Sequence, residues 1–492
     1  MLDKILRLGK ETAIYGLSTV AGRLFNFLIV PLYANALRPE ENGAIANIYA
    51  YIAFANVVYG IGMEQAFMRF YSRPEIGDKR QIFTLPFLVV CGTSLVFSFL
   101  LWFGASAVAP AIGLAESSSH FIRYASGILF FDAVAIVPFA LLRMEQQAKT
   151  FALLKLLNII VNLSLNIVLI VVLRWGIEGV FAANLIASLC TAAMLWPRIT
   201  ANLDFSLPAG LLRQLVRFGL PLVPAGFAGI ALQVIDRPLV KAFTGDAALG
   251  IYQLNYRLGI FMMLVVGMFD YAWRPFFLKH AGSAEAKSLF ARVFTLLVLG
   301  LSSVLVVVSL FIGDLVRVKI LGRQFFPPVY WSGLEIVPWV LLAYVFTGMY
   351  TSFVVGVYLE RQTKYIPLIS GIAALLNVIA NIVLLPRFGI LGAAWATTLA
   401  YAVMALAMFR VSQRYYPIAY EWQKIFRITL AVAAVFILNA IFNPIPLSVN
   451  GFFLKSGFVA VFFGSLFLLR VVSVSEFARV GQALFASAPK KS

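Results

Sequence analysis

Apolar stretches of 20 or more residues recur along the whole chain, separated by short polar segments. A helix needs about 20 apolar residues to cross the hydrocarbon core of a bilayer, and its backbone must satisfy its hydrogen bonds internally. The pattern therefore predicts an all-α polytopic membrane protein with about 14 transmembrane helices. The predicted spans are residues 12–37, 44–68, 82–109, 121–142, 150–173, 177–197, 215–243, 249–273, 289–312, 331–357, 365–386, 389–409, 425–442 and 453–471.

Composition supports this class of protein, and the sequence lacks the motifs of several enzyme classes. The chain is 62% hydrophobic and 12% charged, whereas soluble domains carry about 25% charged residues. The sequence contains no G-x-x-x-x-G-K-[ST] motif and no D-x-D motif, which argues against direct use of ATP and against a glycosyltransferase. No cluster of His, Cys and carboxylate residues has metal-ligand spacing, so we expect neither a metal nor another cofactor.

The net charge of +18 is best explained by membrane topology. Most of the 39 Lys and Arg residues fall on alternate loops, and such loops are normally cytoplasmic. This predicts an even number of spans with both termini in the cytoplasm, and no nucleic-acid partner. The basic N-terminus followed by an apolar run also occurs in signal peptides, but this run is too long and holds Arg23, so we predict an uncleaved first span.

Two helical hairpins repeat along the chain. Residues 157–187 align with residues 375–400, so that Asn162 and Asn166 fall on Asn377 and Asn381, each second asparagine followed by Ile-Val-Leu. A Gly-Ile-x-Gly sequence then follows in both segments, at Gly176 and Gly389, with two more residues before it in the first segment than in the second. These asparagines predict hydrogen bonds between neighbouring helices.

A second match has a similar offset. Residues 31–49 align with residues 238–256, which places Gly43 on Gly250 and Tyr49 on Tyr256. Spans 1–6 and 7–12 are therefore predicted to be related halves. Chance similarity between apolar segments is the alternative explanation, but the matches are paired and occur in the same order.

The hairpins, the two halves and the opening sequence Lys-Glu-Thr-Ala-Ile-Tyr-Gly-Leu-Ser (10–18) carry a resemblance to a known group of transporters. The chain resembles the polysaccharide transporter branch (Wzx-type flippases) of the multidrug/oligosaccharidyl-lipid/polysaccharide (MOP) exporter superfamily. The resemblance implies two pseudo-symmetric six-helix lobes around a central cavity, in residues 1–200 and 205–412. Residues 413–492 would add two C-terminal helices and a cytoplasmic tail.

The resemblance also implies a function and a location. The implied cargo is an oligosaccharide on undecaprenyl pyrophosphate, moved across the bacterial cytoplasmic membrane by alternating access. Membrane lipids would surround the protein, and a polysaccharide polymerase with its chain-length machinery would be its partners. A lipid II-type flippase and a cation-coupled multidrug antiporter of the same superfamily remain alternatives.

Arginines at span depth are the candidate cargo contacts. Arg23 lies near the middle of the first predicted span, and Asn26 follows on the same helical face. A guanidinium is always charged and binds phosphate oxygens as a fork, which suits a pyrophosphate. Arg257 in the second half and Arg237 beside a proline are further candidates. A salt bridge between Arg23 and a buried carboxylate is the competing interpretation.

Asp132 is the candidate for ion coupling. It lies near the middle of the fourth predicted span, with no basic residue close in sequence. A carboxylate at that depth is costly unless it serves a function or has a partner. Asp132 therefore either exchanges a proton or sodium ion during the cycle or pairs permanently with Arg23 or Arg257.

Overall fold

A computed structural model describes residues 27, 29–72, 77–206, 208–320 and 322–471. Within these residues the protein is almost entirely helical, and twelve segments are long and apolar enough to cross a membrane. They correspond to the predicted spans after the first, with residues 365–386 and 389–409 joined in one segment, Tyr365–Tyr415. The predicted fold class is confirmed, and the predicted count of 14 is approximate.

The first part of the chain forms ten helices after a helical stretch at 29–36. They are α1 (Pro39–Gly60), α2 (Met63–Ser72), α3 (Lys79–Phe103), α4 (Ala105–Ala111), α5 (Ser119–Met144), α6 (Ala148–Asn166), α7 (Ile177–Asn202), α8 (Leu211–Gly219), α9 (Leu222–Val234) and α10 (Asp236–Arg257). A short 3-10 helix (Glu116–Ser118) precedes α5, and a π-helix (Ile167–Val172) continues α6.

Six further helices follow, with one short β-hairpin. They are α11 (Ile260–His280), α12 (Ala286–Arg317), α13 (Val337–Leu359), α14 (Tyr365–Tyr415), α15 (Trp422–Phe442) and α16 (Val449–Leu468). Strands β1 (Lys319–Ile320) and β2 (Arg323–Gln324) pair antiparallel after α12, and a 3-10 helix (Pro328–Ile336) leads into α13.

Contacts within the protein divide it into two compact units. The first holds the described residues of Met1–Ile260 together with Phe326–Ile336 and Lys364–Met404. The second holds Phe261–Phe325, Val337–Thr363 and the described residues of Ala405–Ser492. The lobes predicted at 1–200 and 205–412 follow the sequence repeat instead, and they stay predictions.

The repeated hairpins have the same local structure. Gly176 (φ 60°, ψ −134°) and Gly389 (φ 56°, ψ −140°) adopt nearly identical conformations with positive φ. Residues that carry a side chain rarely adopt such conformations. The first hairpin has two more residues between its second asparagine and this glycine, and there the helix widens into the π-helix. A π-turn accommodates an insertion without breaking the helix, so both hairpins reach the same turn.

The asparagines of the hairpins form both bonds within their own helix and the predicted bonds to a neighbouring helix. Asn166 Nδ2 donates to Asn162 O at 2.8 Å and to its Oδ1 at 2.9 Å, and Asn381 repeats both bonds to Asn377 at 2.9 and 2.7 Å. In both hairpins the second asparagine thus donates to the first, one turn earlier on the same helix. The predicted interhelical bond is present at Asn166 Oδ1, which accepts from Tyr33 Oη at 2.8 Å.

Helices α1 and α10 cross at the two aligned glycines. A Cβ atom on Gly43 would lie 1.9 Å from Asp246 O, and one on Gly250 would lie 1.9 Å from Pro39 O. Asp246 precedes Gly250 by four residues, as Pro39 precedes Gly43. In each repeat, the backbone carbonyl four residues before the aligned glycine contacts the glycine of the other repeat. The sequence repeat is therefore also a repeat of packing.

Candidate functional site

Arg257 ends α10, where the chain turns through residues 258–259 before α11 begins. Its side chain is half-buried, and the guanidinium carbon lies 5.9 Å from the centre of the Tyr33 ring. Its cation also lies within electrostatic range of Tyr49 and Arg237. Among the residues that the structure describes, no carboxylate is within ion-pair distance of Arg257.

Arg237 lies at the start of α10, before a break in the helix at Gly245 (φ 85°, ψ 175°), and its environment differs. It is buried, and its Nη1 lies 2.5 Å from Asp236 Oδ1 while its Nε donates to Gln253 Oε1 at 3.1 Å. The guanidinium also lies 4.6 Å from the ring centre of Tyr256, and Tyr252 Oη donates to Asp236 Oδ2 at 2.5 Å. The fork of Arg237 is therefore occupied by the protein itself, so Arg257 is the better placed of the two predicted arginines.

Arg23 and Asn26 lie outside the described residues, and their predicted contact with the cargo stays a prediction.

Asp132 lies in the middle of α5 and is half-buried. Its Oδ1 accepts a hydrogen bond from Ser188 Oγ of α7 at 2.7 Å. Within the described part of the chain no ion pair joins Asp132 to Arg257, which leaves Arg23 as the alternative partner named from the sequence. Asp132 lines a cavity of the first unit.

This cavity has a volume of about 590 Å³ and lies within the first unit, among α1, α2, α5, α6, α7 and α9. Its charged and polar lining residues are Asn56, Glu64, Asp132, Arg143, Lys155, Asn158, Asn184, Ser188 and Thr191. The apolar part of the wall includes Phe139 and Phe151. The cavity is thus a polar compartment inside a bundle of apolar helices.

Lys155 is the cavity residue that the sequence interpretation missed, because the topology pattern placed it with the loop cations. Its Nζ lies 4.2 Å from the centre of the Phe139 ring, and its charge interacts with those of Asp132, Arg143 and Glu64. A signal existed: Lys155 precedes Asn158 by three residues and so shares the polar face of α6.

Glu64 and Arg143 form an ion pair between α2 and α5 at the edge of the same cavity. Their positions are 79 residues apart in the chain, so spacing along the sequence gave no indication of the contact. With Asp132 and Lys155 the cavity contains two carboxylates and two cations, which makes it formally neutral.

Comparison with known proteins identifies the group to which this arrangement belongs. The sequence profile of a family described as "Polysaccharide biosynthesis protein" matches residues 8–281. No curated protein matches the chain in sequence.

Solved structures share the fold at low sequence identity. The inward closed conformation of the lipid II flippase MurJ is 14% identical, with a TM-score of 0.73 over 96% of this chain and 100% of that chain. An inward-facing multidrug resistance MATE family transporter of the MOP superfamily is 14% identical, with a TM-score of 0.63 over 82% and 97% of the two chains. A MOP superfamily transporter from Pyrococcus furiosus, also 14% identical, gives a TM-score of 0.57 over 83% and 94%.

Proposed function

The chain belongs to the polysaccharide biosynthesis protein family and has a MOP transporter fold, and we propose that its cargo is an undecaprenyl-pyrophosphate-linked oligosaccharide. In this proposal the protein flips the repeat unit of an O-antigen, exopolysaccharide or capsule across the bacterial cytoplasmic membrane by alternating access. The observation that carries the proposal is Arg257, a half-buried guanidinium with no carboxylate partner among the described residues.

The physical argument concerns the charge of the carrier. A pyrophosphate is costly to move through a region of low dielectric constant unless fixed cations receive it. A guanidinium matches phosphate oxygens as a fork and is less strongly hydrated than an ammonium. Arg257 supplies this group in the described first unit, with Arg23, Asn26 and Arg237 as the other proposed contacts.

A lipid II-type flippase is the second candidate, because the pyrophosphate carrier is the same and the structural similarity to the MurJ flippase covers 96% of this chain. A cation-coupled multidrug antiporter is the third. It would require a predominantly anionic or aromatic site for cationic drugs, whereas Lys155 and Arg143 balance the two carboxylates of this cavity.

The proposal is tested with the full chain reconstituted into liposomes that contain undecaprenyl pyrophosphate linked to N-acetylglucosamine. We expect the protein to expose sugar from the inner leaflet to a galactosyltransferase added outside, well above protein-free liposomes. A preparation that exports ethidium but does not move the lipid would contradict the proposal and favour the multidrug antiporter. The same assay with lipid II in the liposomes shows which of the two lipid-linked glycans the protein moves.

We further propose that an ion gradient drives the cycle through Asp132, by proton or sodium exchange. An imposed gradient would then bias the direction of transport.

The variant Asp132→Asn tests this coupling, because the amide retains the shape of the side chain and can still accept from Ser188 but takes up no proton. We expect lipid flipping by the variant to become insensitive to a pH gradient that accelerates the wild type. The exposed Glu116→Gln is the control and should keep the response. Equal acceleration of Asp132→Asn and wild type would exclude Asp132 as the coupling group, and acceleration by sodium alone would replace the proton.

A further inference from the structure

We infer that the 590 Å³ cavity binds the first sugars of the glycan while Arg257 holds the pyrophosphate. This inference rests on the proposed lipid-linked cargo and assigns its sugar portion to a site within the first unit. Three features of the cavity support it: amide oxygens that accept no hydrogen bond from the described residues, an ammonium with no carboxylate within ion-pair distance among those residues, and a location in the same unit as Arg257.

The amides of the cavity wall have capacity left for a ligand. Asn184 Nδ2 donates to Tyr49 Oη at 2.6 Å, and Asn158 Nδ2 donates to Thr191 Oγ1 at 2.8 Å. Within the part of the chain that the structure describes, their carbonyl oxygens accept no hydrogen bond, and Asn56 makes none at all. Sugar hydroxyls both donate and accept, so they match a wall of open amide and carboxylate oxygens.

Lys155 and the neighbouring rings complete this wall. Phe139 and Phe151 meet edge to face at 5.3 Å, and the Lys155 ammonium lies over Phe139. No carboxylate of the described residues is within ion-pair distance of Lys155, so its three donors are available to hydroxyls or to an acidic sugar. The half-buried Phe151 ring gives the apolar face of a sugar a surface to pack on, as in other small-molecule sites.

The size and position of the cavity fit this occupant. Small-molecule pockets measure about 300–1,000 Å³, and the cavity lies within that range. Tyr49 accepts a hydrogen bond from Asn184 of the cavity wall, and both the cavity and Arg257 belong to the first unit. In this inference, a pyrophosphate at Arg257 extends its attached sugar into the cavity.

The test compares two probes on the purified full-length protein in nanodiscs. The probes are bare undecaprenyl pyrophosphate and the same carrier linked to N-acetylglucosamine, with dissociation constants measured by native mass spectrometry. We expect wild type to bind the glycosylated carrier at least about tenfold more tightly, since a few added hydrogen bonds supply that difference. Lys155→Met and Asn56→Leu, which remove no hydrogen bond within the described protein, should reduce this preference while retaining affinity for the bare carrier.

The control lies on the same helix. Lys149 is exposed and does not line the cavity, so Lys149→Met should keep the full preference for the glycosylated carrier. Equal affinity of wild type for the two carriers, or an unchanged preference in both cavity variants, would overturn the inference. Failure of the wild type to bind even the bare carrier would instead overturn the proposed lipid cargo, so the two failures are distinguishable.

Discussion

We expect Arg257→Ala to reduce export of surface polysaccharide about 10- to 100-fold, with an unchanged amount of protein in the membrane. A hydrogen bond to a charged group contributes about 1.5–3 kcal/mol, and this guanidinium has no carboxylate partner within the described residues. Its loss therefore removes a ligand contact without leaving a buried acid unpaired. The measurement is the amount of surface polysaccharide in a strain that lacks its own flippase and carries the variant.

Two companion variants separate charge from geometry and from general damage. Arg257→Lys keeps the charge but loses the planar fork, so we expect export between those of wild type and Arg257→Ala. The exposed Arg213 serves as the matched control, and Arg213→Ala should export normally. Export by Arg257→Ala at the wild-type level would remove this residue from the proposed site, whereas full export by Arg257→Lys would show that charge suffices.

The second large effect is expected at the crossing of α1 and α10. Gly43→Ala and Gly250→Ala each place a methyl group 1.9 Å from a backbone carbonyl oxygen of the other helix. Real Cβ atoms do not approach so closely, so the helices must separate, at an overpacking cost of about 1–3 kcal/mol or more for each variant. We expect both to lower the melting temperature of the detergent-solubilised protein and by similar amounts, because the two contacts are equivalent in the repeat.

Gly92→Ala is the control for this experiment. Beyond the backbone of its own helix, no atom of the described residues lies within 4 Å of the position that its Cβ would take, and Ala favours a helix over Gly by about 1 kcal/mol. Its melting temperature should equal or exceed that of wild type. If Gly43→Ala were as stable as Gly92→Ala, the close crossing would not be a feature of the folded protein.

Some features of the site were predictable from the sequence because their signals are local. Arg257 and Asp132 stand out as charges in apolar segments, and charge at that depth is costly. Lys155 carried the same kind of signal through its spacing to Asn158, but its nearness to other basic residues made it look like part of a loop. The hydrogen bonds between Asn162 and Asn166 also follow from a spacing of four residues, although the prediction assigned them to neighbouring helices.

The sequence by itself determined the helical membrane fold and the internal repeat. Long apolar runs can exist in lipid only with their backbone hydrogen bonds closed, and similar sequences fold into similar hairpins, as Gly176 and Gly389 show. Tertiary structure alone decided which charges remain free. It joined Glu64 to Arg143 and left Arg257 without a carboxylate partner among the described residues. Such contacts depend on which helix faces pack together. Those faces come from segments that are far apart in the chain, so no local sequence pattern indicates them.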